Sequence, residues 1–257
     1  MRIVSYNVNG LRSAMSKGFV EWLQTDPGDI ICLQEIKAQK DNVDFRQFEQ
    51  LGYEHYWYPA QKKGYSGVAV LTKIKPDHVQ YGNGFMQSDT EGRFIRLDFK
   101  DVTLINTYFP SGTSGDERQT YKYQWLDEFY GYLNTLRATR PNLVVCGDYN
   151  ICHKPIDIHD PVGNKKSSGF LPDERTWMDK FFESGFVDTF RHFNPDPHQY
   201  SWWSQRANSR NNNKGWRIDY INVSAPLQAR LKKAAIWQEV KHSDHCPVYL
   251  ELTPGSL

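Results

Sequence analysis

Several things are scarce in this chain, and each scarcity excludes something. Only 4 of 257 residues are cysteine, at positions 32, 146, 152 and 246, and no two form a CxxC pair. That argues against a disulfide scaffold and against a thiolate zinc site. Cys32 and Cys146 lie inside apolar runs, where a free thiol behaves as a small hydrophobe. We read all of them as reduced structural thiols of a cytosolic protein. No apolar run approaches the ~20 residues needed to span a bilayer, so no membrane association is expected. An apolar strand begins at Arg2, so no signal peptide is expected either. An excess of one charge is also missing: 31 basic and 30 acidic residues give a formal net charge of +1. Any nucleic-acid binding must therefore come from a local basic surface rather than a global field.

What is present suffices for a large core, with 39% hydrophobic and 14% aromatic residues, and this excludes disorder. Strand-like runs recur as RIVSYN, DIICLQ, YEHYWYP, GVAVLT, RFIRLDF, VTLINTYF, NLVVCGDYN, RIDYINV, KAAIWQ and PVYLEL. DIICL and NLVVC are apolar at successive positions, as in strands buried on both faces. Helical spacing is rarer. It predicts helices over Phe19–Leu23, over Glu117–Arg137 with Tyr121, Trp125, Leu126, Phe129, Leu133 and Leu136 on one face, and after Pro172. Many strands with few helices imply a layered α/β domain. No segment reads as a linker, so residues 1–257 are expected to form one domain.

Several strands end in oxygen-bearing side chains. SYNVNG places Asn7 and Asn9 two apart, CGDYN does the same with Asp148 and Asn150, and such pairs share a strand face. ICLQE ends on Glu35, INTYFP carries Tyr108, GWRIDY sets Asp219 inside an apolar strand, and HSDHC offers Asp244 and His245. Asx residues after strands commonly make turns, but this many endings in one chain point to a shared site. A buried acid such as Asp219 requires an imidazole or a cation. The set is rich in hard oxygen donors, and HExxH is absent, which suits Mg²⁺ or Mn²⁺ rather than structural zinc. A divalent cation beside an Asp-oriented His is equipment for phosphate-ester hydrolysis. A serine-hydrolase triad using Ser66 is the rival, but GYSG is one residue short of GxSxG and leaves the other carboxylates unexplained.

Taken in order, SYNVNGLR, LQEIK, GYSGVAV, TEGR, YFPSG, GDYN, SGFLPDER, DTFR, GWRIDY and SDHCP run from residue 5 to residue 247. This ordered set resembles the exonuclease III family of apurinic/apyrimidinic endonucleases, within the endonuclease–exonuclease–phosphatase superfamily. The resemblance implies a four-layer α/β sandwich, with two mixed β-sheets packed face to face and helices on the outer faces. It implies a Mg²⁺-dependent DNA repair nuclease (Mn²⁺ a possible substitute) that cleaves 5′ to abasic sites in duplex DNA and leaves a 3′-hydroxyl. Trimming of blocked 3′ ends and 3′→5′ exonuclease activity are implied too, as is a cytoplasmic, nucleoid-associated monomer.

Residue roles follow from the same resemblance. Glu35 is the expected principal metal ligand, with Asn7 beside it and Asp244 contributing. Asp148 is expected to orient or deprotonate the attacking water, and Asn150 to position that group. His245, held by Asp219, contacts the scissile phosphate, and Tyr108 supports it. Asn164 matches a phosphate-contacting Asn, and Trp202, Trp216 and Ile218 match the walls of an abasic-sugar pocket. Arg12, Lys37, Tyr65, Arg93, Arg118 and Lys122 fall at or near backbone-contact positions. Some relatives carry Asp where this chain has Asn9, which leaves the metal site one negative charge fewer; Ser111 also departs from the pattern and is left out of the site.

The stretch Tyr200–Arg217 favours DNA. It holds Arg206, Arg210, Lys214 and Arg217, has no acid, and interleaves Tyr200, Trp202 and Trp216. Basic residues can track phosphates while aromatic rings pack on a sugar or base; Trp203 is read as core. Two other readings stay open: a superfamily phosphodiesterase or phosphatase acting on RNA, lipid or undamaged DNA, and a DNA-binding factor with a decayed site.

Overall fold

The apolar runs pair into two six-stranded sheets in the computed structural model, which describes residues 1–255. In chain order the strands are β1 (Arg2–Asn7), β2 (Ile30–Gln34), β3 (Glu54–Tyr58), β4 (Val68–Thr72), β5 (His78–Tyr81), β6 (Phe94–Asp98) and β7 (Thr103–Tyr108). They continue as β8 (Leu143–Asp148), β9 (Phe186–Asp188), β10 (Trp202–Trp203), β11 (Gly215–Trp216), β12 (Asp219–Ser224), β13 (Leu231–Ile236) and β14 (Val248–Leu252). The helices are α1 (Leu11–Met15), α2 (Phe19–Leu23), α3 (Arg46–Glu49), α4 (Met86–Thr90), α5 (Asp116–Arg137), α6 (Pro172–Glu183) and α7 (Thr189–Phe193).

One sheet has the order β13-β14-β1-β2-β4-β3 and the other β5-β6-β7-β8-β12-β9. Each is mixed, with a single parallel pair at its centre, β1/β2 in the first and β7/β8 in the second. The layering follows from strand periodicity. Along β2, Ile30 and Cys32 enter the cluster between the sheets, while Ile31 and Leu33 pack outward with Phe19, Leu23 and Phe48. Along β8, Val144 and Cys146 face inward, while Leu143 and Val145 meet Trp125, Phe129, Met178 and Phe181 of α5 and α6. Each strand thus serves two cores, which is why its sequence is apolar at every position. Full burial of each such side chain contributes about 1.5–3 kcal/mol. The result is the four-layer sandwich expected. The four cysteines are buried and unpaired. Among the described residues, no helix is long and apolar enough to cross a membrane.

A buried polar contact registers the two sheets. Gln34 Nε2 donates to Asn106 Oδ1 at 2.7 Å, and Asn106 Nδ2 donates to the carbonyls of Leu33 and Ala69 at 3.0 and 2.8 Å. Slipping one sheet past the other would strand these amides, at about 1–3 kcal/mol for each unsatisfied group. Glu35 follows Gln34 directly, and Tyr108 lies two residues beyond Asn106. The same contact therefore holds the two halves of the polar cluster in register.

The short elements β5, β9, β10, β11, α1, α3, α4 and α7 were not legible in the sequence. They span two to five residues, too few for a period to show.

Candidate active site

The central strands of each sheet end at the same edge. Tyr108 on β7 pairs with Asp148 on β8, and Asp148 pairs with Asp219 on β12, so these three stand side by side across one sheet. From the facing sheet come Asn7 at the end of β1 and Glu35 just past β2. The C-terminal ends of parallel strands are where α/β sheets most often place ligands.

The residues just beyond the strand ends take left-handed backbone: Asn9 at φ 43, Glu35 at 48, Lys37 at 49 and Asn150 at 51. Asn tolerates this conformation, whereas Glu and Lys are held in it at about 1–3 kcal/mol each, a strain that clusters at functional sites. It also means that Asn9 and Asn150 are not strand residues. The period-two argument for them fails, although both still border the site.

Asn7 lies at the centre of the cluster. Its Nδ2 donates to Glu35 Oε1 at 3.1 Å and to Asp148 Oδ2 at 2.9 Å. Its Oδ1 accepts the Asn9 backbone N–H at 2.9 Å, which fixes the amide's orientation. Asn7 therefore offers N–H groups to the carboxylates and does not present its oxygen as the metal ligand anticipated. Asn9 is similarly engaged, donating to Asp244 Oδ1 at 3.0 Å and accepting from Lys37 Nζ at 2.5 Å. Lys37 Nζ also lies 2.9 Å from Glu35 Oε2. Tyr108 Oη donates to Glu35 Oε1 at 2.7 Å.

Opposite stands the imidazole. His245 Nδ1 lies 2.9 Å from Asp219 Oδ2. That same oxygen accepts Ser201 Oγ at 2.6 Å, and Ser201 Oγ in turn accepts the backbone N–H groups of Ile218 and Asp219 at 3.1 Å. His245 Nε2 is 3.9 Å from Asp148 Oδ2, too far for a hydrogen bond, so it faces Asp148 across a gap. Asp244 is held by Asn9, by Ser243 Oγ and by Trp202 Nε1, the last at 3.1 Å.

Burial dominates the electrostatics. It pushes the Asp148 carboxyl up, the Asp219 charge adds to the rise, and His245 offsets only part of it, leaving Asp148 at about 7. Burial works against a charged His245, but Asp219, Asp148 and Asp244 outweigh it and raise its pKa to about 10. For Glu35 burial acts upward, yet Lys37, Tyr108 and Asn7 overcome it and hold the carboxyl below its ordinary range. Asp244 is also lowered, because His245 and its hydrogen-bond donors outweigh burial. At neutral pH this leaves an imidazolium facing an acid poised to gain or lose a proton.

The residues fit a divalent cation. One ligand atom each from Glu35, Asp148 and His245 lies within 4.8 Å of the others. The donors on the two acids are hard oxygens. Burial, and after it the charges of Asp219 and Glu35, raise the Asp148 carboxyl, so a cation placed among these acids would relieve their crowding. Glu35 would hold the ion with Asp148 beside it, and Asp244 is linked to the same cluster through Asn9.

A cavity of about 780 Å³ opens from this cluster, lined by Glu35, Asp148, Asn150, His245, Trp202, Trp216 and Ile218 and continuing past Gln119, Ser168 and Gly169. Trp202 and Trp216 pair across β10 and β11 with rings 6.0 Å apart at 85°. Ile218, Phe170, Cys152 and Ile158 back them. An apolar corner thus adjoins the polar cluster.

Residues 4–245 match the model of the Endonuclease/Exonuclease/phosphatase family. The chain belongs to that family. It is 44% identical over 252 residues to an exodeoxyribonuclease of Bacillus subtilis, covering 97% of this chain and 98% of the relative. The structure of an AP endonuclease from Archaeoglobus fulgidus superposes with a TM-score of 0.89 at 31% identity, covering 99% of this chain and 100% of the other. A Neisseria 3′ phosphatase bound to a product DNA hairpin superposes with a TM-score of 0.90 at 28% identity, covering 99% of this chain and 100% of the other.

The residues marked as DNA contacts are less uniform. Arg12 is exposed on α1. Tyr65 is half-buried, and its Oη accepts from Arg93 at 3.1 Å and from Arg118 at 3.2 Å. Both guanidiniums also bind Glu91, and Arg93 is 2% exposed. Arg93 therefore supports Tyr65 from beneath and does not meet a phosphate itself. Asn164 folds back on its own loop, donating to the carbonyls of His159 and Asp160 at 3.1 and 3.0 Å. Lys122 is fully buried against Glu174 and is no surface contact.

The basic loop presents less free charge than its sequence implies. Arg217 is buried between Asp157 and Asp188, and Arg210 is spent on the carbonyls of Ser243, Gln238 and Val240. Only Arg206 and Lys214 of its four cations stand exposed. Tyr200 is as buried as Trp203, so the aromatic surface reduces to Trp202 and Trp216. Sequence reasoning missed Ser201, Glu91 and Glu174. Glu91 stands two residues before Arg93 in TEGR and Glu174 directly before Arg175 in PDER, an acid close to a basic residue being the available signal.

Proposed function

We propose that this protein is a Mg²⁺-dependent DNA repair nuclease that cuts the phosphodiester 5′ to an abasic site, leaves a 3′-hydroxyl, trims blocked 3′ ends and works as a monomer. Its family membership and its exodeoxyribonuclease and AP-endonuclease relatives support nuclease chemistry on DNA. The observation that carries the abasic reading is the apolar corner of Trp202, Trp216 and Ile218 beside the His245–Asp148 gap. A deoxyribose without a base fits such a corner, and flipping it out of the helix costs least where the base is already missing.

Each residue has a task set by its surroundings. His245, kept cationic by Asp219, donates from Nε2 to a phosphoryl oxygen. Asp148, at about 7, accepts the proton of the attacking water. Asn150 N–H donates to Asp148 Oδ1 at 2.8 Å and leaves Oδ2 turned toward the gap. Tyr108 fixes Glu35. A bound divalent ion, with Mg²⁺ or Mn²⁺ matching the oxygen donors, would neutralise charge on the phosphate.

A substrate panel tests this reading. It comprises abasic duplex, 3′-phosphate duplex, intact duplex, single-stranded RNA and an inositol phospholipid, each at equal concentration with Mg²⁺. The reading requires abasic and 3′-blocked duplexes to lead. Preferred turnover of RNA or lipid would discard it.

A further inference from the structure

Lys122 has no part in the reaction above, yet the structure buries it completely. Lys122 on α5 and Glu174 on α6 are both at 0% exposure, with Nζ 2.5 Å from Oε1. Burying two charges costs more in desolvation than burying an apolar pair of the same volume, so a plain tie between helices is poorly served by them.

What the pair holds is more specific. Lys122 Nζ also donates to the backbone carbonyl of Asn150 at 2.8 Å. Glu174 Oε2 accepts the backbone N–H groups of Gly169 at 2.7 Å and Leu171 at 3.0 Å. One ion pair thereby ties together two backbone segments that line the cavity, at Asn150 and at Gly169, and these segments lie in contact. Gly169 has φ +96, and a Cβ there would lie 2.9 Å from Trp216 Cζ3 and 3.2 Å from the Asn150 carbonyl. Any shift of Gly169 is passed directly to the Trp216 ring.

We propose that the buried Lys122–Glu174 pair is a positioning device that fixes the Asn150 and Gly169 segments and, through Gly169, the Trp216 wall of the sugar pocket, and so sets substrate selectivity without touching substrate. This rests on the abasic-site reading above.

The test uses Lys122→Met, Glu174→Gln and the double variant of the full chain. In Glu174→Gln the amide NH₂ must face either Lys122 or the two backbone donors, so one set of bonds is lost. The double variant leaves no unpaired buried charge, which separates selectivity from stability. KM for an abasic duplex should rise by about 10- to 100-fold in all three with kcat within about threefold, as expected for misplacement of a binding wall. The Kd of an abasic-analogue duplex in EDTA should weaken by the same factor. Selectivity for abasic over 3′-terminal intact nucleotides should fall by at least about tenfold even where the double variant melts like wild type. A double variant with wild-type melting and wild-type selectivity would overturn the inference, as would a fall in kcat at unchanged KM. A wild-type enzyme that neither binds nor cuts abasic duplexes would instead remove the substrate reading, and the inference with it.

Discussion

Replacing Asp219 by asparagine removes one charge and almost no volume. In the native site His245 is 4% exposed and its Nδ1 lies 2.9 Å from Asp219 Oδ2. The pKa stands at about 10 against an ordinary 6.5, although burial alone would lower it. A rise of this size corresponds to differential stabilisation of the imidazolium on the order of 5 kcal/mol. Because burial opposes this rise, the acids together contribute more than the net figure, Asp219 first among them and Asp148 and Asp244 after it. Without the Asp219 charge the burial effect gains ground, and His245 should become neutral near pH 7. The assay is a proton NMR titration of the His245 Cε1–H in EDTA, beside steady-state cleavage of an abasic duplex. Wild type should stay protonated through pH 8, and the variant should titrate near or below the ordinary histidine value. Loss of the positioned cationic donor should lower kcat by about 10²- to 10⁴-fold. A wild-type imidazole that titrates near its ordinary value, or a variant that keeps near-native kcat, would refute the assignment.

Other outcomes follow from the same geometry. Asp157 is held at about 2, because Arg217 and Arg191 outweigh the upward effect of burial. A folded value below the ordinary 3.8 means stability that is present above that pH and lost as pH falls through the folded value. Urea unfolding of Asp157→Asn and wild type at pH 7 and at pH 2 should show a gap on the order of 2 kcal/mol at pH 7 that narrows at pH 2. Tyr108→Phe deletes the 2.7 Å bond to Glu35, and kcat should fall about 10- to 100-fold, as for loss of a hydrogen bond to a charged group. Arg206→Ala with Lys214→Ala should weaken DNA binding and flatten its salt dependence. Arg217→Met should instead lower the melting temperature, since Arg217 is enclosed by Asp157 and Asp188.

Legibility in the sequence tracked physical cause. Strands such as β2 and β8 were readable because burial on both faces forces apolar residues at every position. Asp219 was readable because an acid inside an apolar strand demands a partner, and the partner is His245. The fate of basic residues was not readable. Lys122, Arg210 and Arg217 look like surface cations in one dimension, but each is paired with acids or carbonyls distant in sequence, and Arg93 is taken up by nearby Glu91 and by the Tyr108 carbonyl. Left-handed backbone rather than strand periodicity brings Asn9 and Asn150 to the border of the polar cluster. Nor could the sequence show that Asn7 would turn its NH₂ to Glu35 and Asp148, because the Asn9 N–H that sets this orientation appears only once the chain has turned.

A metal-assisted phosphate site at Glu35, Asp148 and His245 is proposed to work beside a pocket for a baseless sugar. Its most direct test is a 5′-labelled duplex carrying one abasic analogue, incubated with Mg²⁺ or with EDTA beside an undamaged duplex. A single Mg²⁺-dependent cut immediately 5′ to the lesion is expected, with a 3′-hydroxyl on the labelled product and slower attack on the undamaged duplex. Cutting that persists in EDTA, or falls equally on both duplexes, would contradict it.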